Sequence, residues 1–382
     1  MKITDVRAWV FDRQGSEEHA RWQRRPVAAP LARYAKYKGR RDRWVGPFNF
    51  VPIVVEAETD EGLAGLGVGS GGDAAALIVE RHLRELLLGE DATDVERLWD
   101  YMYQATLAYG RKGLAVHAMS GVDNALWDLL GKALGQPVYR LLGGRTKERL
   151  SVYATGPQSE LYAPLGFRGN KLSMPYGPAD GPEGMQENEA RVRRARAAFG
   201  EDRDVMVDAW MSWDVEYTLR MAERLARYGV RWIEEPLPPD DLEGMAFLRE
   251  RIKPMLLAAG EHEYTRWGFR DLVEHGAADV LQPDVTWSGG ITEMRKVCAL
   301  AAAYNLPVIP HVGGPFSYHL VMAHTNCPLV EFLVSGAEGD RFAPIYPMFD
   351  GEPLPAEGCI DLSDAPGFGL RLRPDAGLRR PR

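Results

Sequence analysis

From residue 150 onward, short apolar runs alternate with longer stretches of helical spacing. The apolar runs fall at 150–154, 170–174, 205–208, 232–235, 256–261, 280–284, 308–311 and 330–333. Between them lie stretches rich in Ala, Leu, Arg and Glu, such as 187–198, 214–227 and 291–304. Strands alternating with helices predict βα units and a parallel sheet. Before residue 150 the pattern differs. Ile3, Val6, Ala8 and Val10 mark a strand, 50–58 a second, and Asp60-Glu61-Gly62 turns the chain into a third around 64–68. Helical patterns follow at 73–88, 94–108 and 114–134. In the last of these Val116, Met119, Val122, Leu126, Leu129, Leu130 and Ala133 keep helical spacing, and Gly135 is a stop. A meander followed by helices predicts an α+β unit. The expected division is 1–140, an α+β capping domain, 141–350, a barrel, and 351–382, a Gly/Pro-rich tail that returns to the cap.

Successive apolar runs place a polar residue at the same phase. Asp208, Glu234, Glu261, Asp284 and His311 recur at intervals of 26, 27, 23 and 27 residues. A strand, a helix and two loops take about 25–30 residues, and the carboxyl ends of barrel strands face one shared pocket. Any single carboxylate in such a place is ordinarily a salt-bridged loop residue. Three in phase on adjacent strands suit a hard divalent cation, so Asp208, Glu234 and Glu261 are candidate Mg²⁺ ligands. Asp284 and His311 form a candidate pair in which the carboxylate fixes the imidazole tautomer and raises its basicity. Glu235 should point away from Glu234, because side chains alternate along a strand. Lys171 and Glu331 belong to the second and eighth runs and are expected to take part in catalysis, Lys171 also touching the substrate. His262 and His319 are weaker candidates for substrate contact.

Composition narrows the partner. A net charge of −8 and a pI near 5.6 leave no overall nucleic-acid footprint. No apolar run approaches the ~20 residues that span a bilayer, and the first residues lack the apolar core of a secretory signal. Cys298, Cys327 and Cys359 have no metal spacing and suit a reducing cytoplasm. The segment 15–46 has no periodicity but carries many Arg and Lys residues among Trp22, Tyr34, Tyr37 and Trp44. Such an insertion is expected to close over an anionic ligand.

The chain resembles the enolase superfamily, mandelate racemase-like subgroup, over almost its whole length. The resemblance is carried by Val122-Asp123-Asn124-Ala125-Leu126-Trp127-Asp128, Leu141-Leu142-Gly143-Gly144, Val207-Asp208, Trp232-Ile233-Glu234-Glu235-Pro236, Gly260-Glu261, Gln282-Pro283-Asp284, Pro310-His311 and Pro366-Gly367-Phe368-Gly369. Within that subgroup it looks most like the acid sugar dehydratases of L-rhamnonate type, on Pro175-Tyr176-Gly177-Pro178-Ala179-Asp180-Gly181, Asp208-Ala209-Trp210-Met211-Ser212 and the stretch from Gly260-Glu261-His262 to Trp267-Gly268-Phe269. The resemblance implies a (β/α)7β modified TIM barrel with an α+β amino-terminal cap completed by the C-terminal tail. It implies Mg²⁺, His311 as base, and dehydration of an aldonic acid to a 2-keto-3-deoxy acid through an enediolate. It also implies a small acid sugar as the partner and a homo-oligomer. Arg41 would hold the substrate, and Pro26 stands where the family places a loop histidine. Ser173 stands where a two-base enzyme would use a second lysine, which disfavours a racemase or epimerase. A sugar-acid-binding scaffold without turnover is the alternative from another class.

Overall fold

The computed structural model describes residues 1–11, 27–39, 51–334, 337–338 and 341–382. Strands β1 (Ile3–Phe11), β2 (Ile53–Thr59) and β3 (Ala64–Gly69) form an antiparallel meander, and Leu378–Arg379 of the tail pairs with the free edge of β1. The helix Leu114–Ala133 lies directly on β3. Close approach is possible because Gly65, Gly67 and Gly69 present no side chain. A Cβ at these positions would fall 2.1, 2.2 and 2.4 Å from the carbonyl oxygens of Ala125, Gly121 and His117. The helix is buried nearly all round, which explains its lack of a clean polar face. The tail also reaches it: Phe368 N donates to Asp128 Oδ1 at 2.9 Å.

Beyond the cap, β4 (Leu150–Thr155), β5 (Gly169–Ser173), β6 (Asp204–Asp208), β7 (Val230–Glu234), β8 (Leu256–Ala259) and β9 (Val280–Leu281) pair in parallel order. β10 (Val330–Leu333) returns beside β4. Helices cover the outside, among them Gly181–Phe199, Val215–Leu225, Leu242–Arg251, Thr265–Glu274, Gly290–Ala303 and Gly314–Ala323. The architecture is the expected modified barrel. Its interior is packed with Tyr153, Met206, Trp232, Ala258, Val280, Ile309 and Leu329.

Several strands are shorter than the apolar runs suggest. Residues 308–311 make only an isolated parallel bridge, Leu281 to Val308. Ile309 N donates to Leu281 O at 2.9 Å and His311 N to Pro283 O at 3.0 Å. Pro307, Pro310 and Pro283 have no N–H to extend the ladder. β7 stops at Glu234 because Glu235 turns to φ +36°, and β8 stops before Gly260 at φ +130°. These breaks turn strand ends into rim loops. The segment 15–46 is described only at 27–39, where it is not structureless. Val27 and Ala28 are buried, Ala28 N donates to Met174 O at 2.8 Å, and Pro30–Arg33 forms a 3₁₀ turn. The rest of that segment lies outside the described residues.

Candidate active site at the carboxyl ends of the barrel strands

Register places the carboxylates. Ser173 pairs with Asp208, Asp208 with Glu234, and Glu234 with Ala258, so Asp208 and Glu234 sit at one level on adjacent strands. Glu261 follows on the next rim loop. All three are at least 96% buried (2%, 1% and 4% exposed). Across the rim His311 Nδ1 lies 2.8 Å from Asp284 Oδ2. The other oxygen of Asp284 accepts from Thr286 N and Thr286 Oγ1, each at 2.7 Å, so the carboxylate is held before it holds the imidazole. His311 Nε2 is 3.6 Å from Glu261 Oε2. Burial disfavours charge on this imidazole, but Glu261, the hydrogen bond to Asp284, and Glu331 outweigh it and push its pKa up to about 10. On the other side of Glu261, His262 Nδ1 is 3.7 Å from Glu261 Oε1 and 2.7 Å from Glu235 Oε2.

The donor set fits a hard cation. Burial pushes the Glu234 carboxyl up to about 8; Lys171 opposes the rise, and Asp208, Glu331 and Glu261 add to it. A divalent ion relieves this crowding of buried negative charge. Among the described residues, donor atoms within 4.8 Å of one another belong to Glu235, Glu261 and His262, a different trio from the one strand phase predicts. The phase-related trio offers three carboxylates, the oxygen donors that Mg²⁺ prefers, whereas the other trio includes an imidazole. Glu235 is already committed to His262 Nδ1 and to the N–H groups of Gly260 and His262, at 3.3 and 3.2 Å. In this structure Glu234 Oε1 is taken by Lys171 at 2.5 Å, and Oε2 by Gln282 Nε2 at 2.9 Å and Trp232 Nε1 at 3.1 Å. Cationic and N–H donors thus surround the carboxylate where a metal would compete.

Two family models match: the mandelate racemase / muconate lactonizing enzyme N-terminal domain over residues 49–143 and the enolase C-terminal domain-like model over 158–376. The chain belongs to the enolase superfamily. An L-rhamnonate dehydratase of Saccharopolyspora erythraea is 44% identical, covering 100% of this chain and 99% of its own length. Among solved structures, a rhamnonate dehydratase from Gibberella zeae complexed with Mg is 38% identical with a TM-score of 0.93, covering 99% and 96% of the two chains. A racemase from Streptomyces coelicolor with bound magnesium is 30% identical with a TM-score of 0.79, covering 97% of each.

In this enolase-superfamily chain, most candidates converge on the rim, with two corrections. His319 does not reach it. It lies on the helix Gly314–Ala323, where its Nδ1 accepts from Tyr139 N at 3.1 Å and its ring meets Phe368 edge-on at 5.3 Å. It joins a barrel helix to the tail, and burial pulls its pKa down to about 3. Lys171 does not present its ammonium at the mouth. It is level with Met206, one inward-facing position deeper than Ser173, and it bridges Glu234 at 2.5 Å and Glu331 at 2.9 Å. Burial opposes its charge, yet those two carboxylates hold it protonated. Glu331 accepts from Thr155 Oγ1 at 2.5 Å and Val312 N at 3.1 Å as well as from Lys171, surroundings that favour its ionised form. Burial acts to raise its pKa, and Lys171 with His311 reverses that. Arg41 and Pro26 lie outside the described residues. Sequence reasoning assigned no role to Gln282, Thr286 or Trp287. Gln282 was within reach of the strand alternation, two residues before Asp284 on the same face. Thr286 and Trp287 lie on a loop that carries no periodic signal.

Proposed function

We propose that the chain is a Mg²⁺-dependent hydro-lyase that converts an aldonic acid, L-rhamnonate or a close relative, into its 2-keto-3-deoxy acid. The observation that carries this reading is the His311–Asp284 pair standing 3.6 Å from Glu261. Asp208, Glu234 and Glu261 would hold Mg²⁺, which when bound supplies Lewis-acid stabilisation of charge on the substrate carboxylate. With Mg²⁺ on Glu261 the charge that raises the His311 pKa would be offset, so that Asp284 keeps one proton on Nδ1 and Nε2 is free to take the proton from C2 of the substrate. The electron pair moves into the substrate carboxylate, then returns to form the C2–C3 double bond as the C3–O bond breaks. His311 gives its proton to the departing hydroxyl, so water leaves and the enol tautomerises to the ketone. Lys171 offsets the charge of Glu234 and Glu331 below the reacting atoms. His262, oriented by Glu235, faces Glu261 from the other side and would contact a substrate hydroxyl. Arg41 is the further substrate contact proposed from the resemblance.

Incubation with L-rhamnonate and Mg²⁺ should yield a 2-keto-3-deoxy acid, and His311→Asn should abolish it while leaving Mg²⁺ binding nearly unchanged. Full turnover by that variant would remove the role. The two imidazoles flanking Glu261 also favour a second reading, epimerisation at C2. In D₂O that reaction returns both epimers labelled at C2, whereas dehydration does not. Among the described residues no helix is long and apolar enough to cross a membrane. A cytoplasmic homo-oligomer is the accompanying proposal, tested by fractionation and light scattering.

A further inference from the structure

The loop between β9 and the helix Gly290–Ala303 carries Asp284 and, three residues later, Trp287. Trp287 is 5% exposed, and its N–H donates to Asp284 O at 3.0 Å. Its ring lies 5.1 Å from that of His311 and 6.0 Å from that of His262, tilted by 53° and 52°. One indole therefore packs on both imidazoles that flank Glu261. The same indole stacks on His117 of the cap helix at 5.6 Å and 23°. His117 in turn stacks on Tyr264 and meets its hydroxyl at 3.1 Å.

The cap helix grips this loop and the first turn of the helix that follows it. Ser120 Oγ accepts from Gly289 N at 2.8 Å, Asn124 Nδ2 donates to Val285 O at 3.5 Å, and Asp123 Oδ2 accepts from Thr292 N at 2.8 Å. Residues 117, 120 and 124 share one helix face. A hydrogen bond to Nδ1 alone leaves an imidazole free to tilt about that bond. An aromatic ring packed at an angle against it restricts that freedom, and tilts that displace the reacting nitrogen by about 1 Å cost on the order of 10²-fold in rate.

We propose that Trp287 is a positioning residue: backed by His117 of the cap helix, it fixes His311 and His262 relative to each other and to Glu261. The inference rests on the reading of His311 as the base. It makes cap docking a condition of a formed active site, since the loop that aims the base is held from the cap.

The test uses the full chain with saturating Mg²⁺ and L-rhamnonate. Trp287→Leu should lower kcat on the order of 10²-fold and Trp287→Phe about tenfold, with KM changed by less than about threefold. The imidazole C–H resonances of His311 and His262, assigned through their Asn variants, should shift in Trp287→Leu as the indole ring current is lost, while those of His82 and His275 stay in place. A folded Trp287→Leu with unchanged kcat and unshifted resonances overturns the proposal. Should that variant not fold, Trp287→Phe decides by the same two readouts. If His311→Asn turns over normally, the reading of the base fails, and the resonances still decide whether Trp287 orders the rings.

Discussion

Two layers of the barrel interior sit one above the other on the same strands. The lower holds Tyr153, Met206, Trp232, Ala258, Val280, Ile309 and Leu329, with Lys171 among them. The upper holds Asp208, Glu234, Glu261, Asp284 and His311, while Glu331, level with Tyr153, joins Lys171 beneath them. Both are buried apart from the partly exposed His311, so burial alone does not separate them. The lower layer is stable as any apolar core is stable, by area removed from water and close packing. The upper layer exists only through pairing: each carboxylate has N–H, hydroxyl, ammonium or imidazole partners, and an unpaired buried charge would be costly. Lys171 belongs by position to the lower layer and by charge to the upper one. Its ammonium is the counterion of Glu234 above it and of Glu331 beside it.

The comparison is broken most strongly at the upper layer. His311→Asn should lower kcat by about 10³–10⁴-fold, because a general base acts in the transition state, and should lower the melting temperature modestly, because Asp284 loses its charged partner. Steady-state kinetics and a melting curve check both halves. Next, Lys171→Met should cost about 3–5 kcal/mol of stability by leaving Glu234 and Glu331 buried without a counterion. Mg²⁺ should recover part of the lost melting temperature, since the cation supplies charge to the same carboxylate; identical losses with and without Mg²⁺ would argue against Glu234 as a ligand.

Met206→Ala sharpens the contrast from below. It should cost about 2–5 kcal/mol through the cavity it opens, while kcat falls less than about tenfold in the folded protein. A loss of kcat as large as that of His311→Asn would show that the layers are not separable.

The smallest expected effect concerns the cap. Burial pulls His117 down to about 3. The unfolded chain therefore binds a proton that the native state refuses, so stability is full above pH 6.5 and is lost as pH falls toward 3. Between pH 7 and pH 5 this amounts to about 2 kcal/mol. His117→Phe should keep the stack on Trp287 and flatten that part of the acid limb, measured by denaturant midpoints. His319, also near 3, should keep the remaining slope.

Much of this was legible in the sequence, for a definite reason. The βα period is set by the length of a strand, a helix and two loops, so residues one period apart arrive at one rim whatever the details of packing. That is why the spacing of Asp208, Glu234, Glu261, Asp284 and His311 already implies a shared rim. Strand ends were less legible. The Pro residues at 283, 307 and 310 and the turn at Glu235 shorten the ladders, and their effect depends on which N–H groups the neighbouring strand requires. His319 and His311 both follow an apolar, Pro- or Gly-containing stretch, and nothing local distinguishes the one that packs against the tail from the one that meets Asp284.

The sequence by itself determined the alternation of strand and helix, the α+β cap before it, and the phase that brings acidic and basic groups to one end of the barrel. Those are properties of spacing and side-chain type. Only the tertiary structure decided that Lys171 neutralises Glu234 and Glu331 from beneath, that Glu235 is spent on His262, and that Trp287 stands between the cap helix and two imidazoles. These depend on side chains far apart in the chain meeting within about 3 Å for hydrogen bonds or 5–6 Å for rings. Such distances are set by how cap, loop and strands pack together, and no local pattern encodes them.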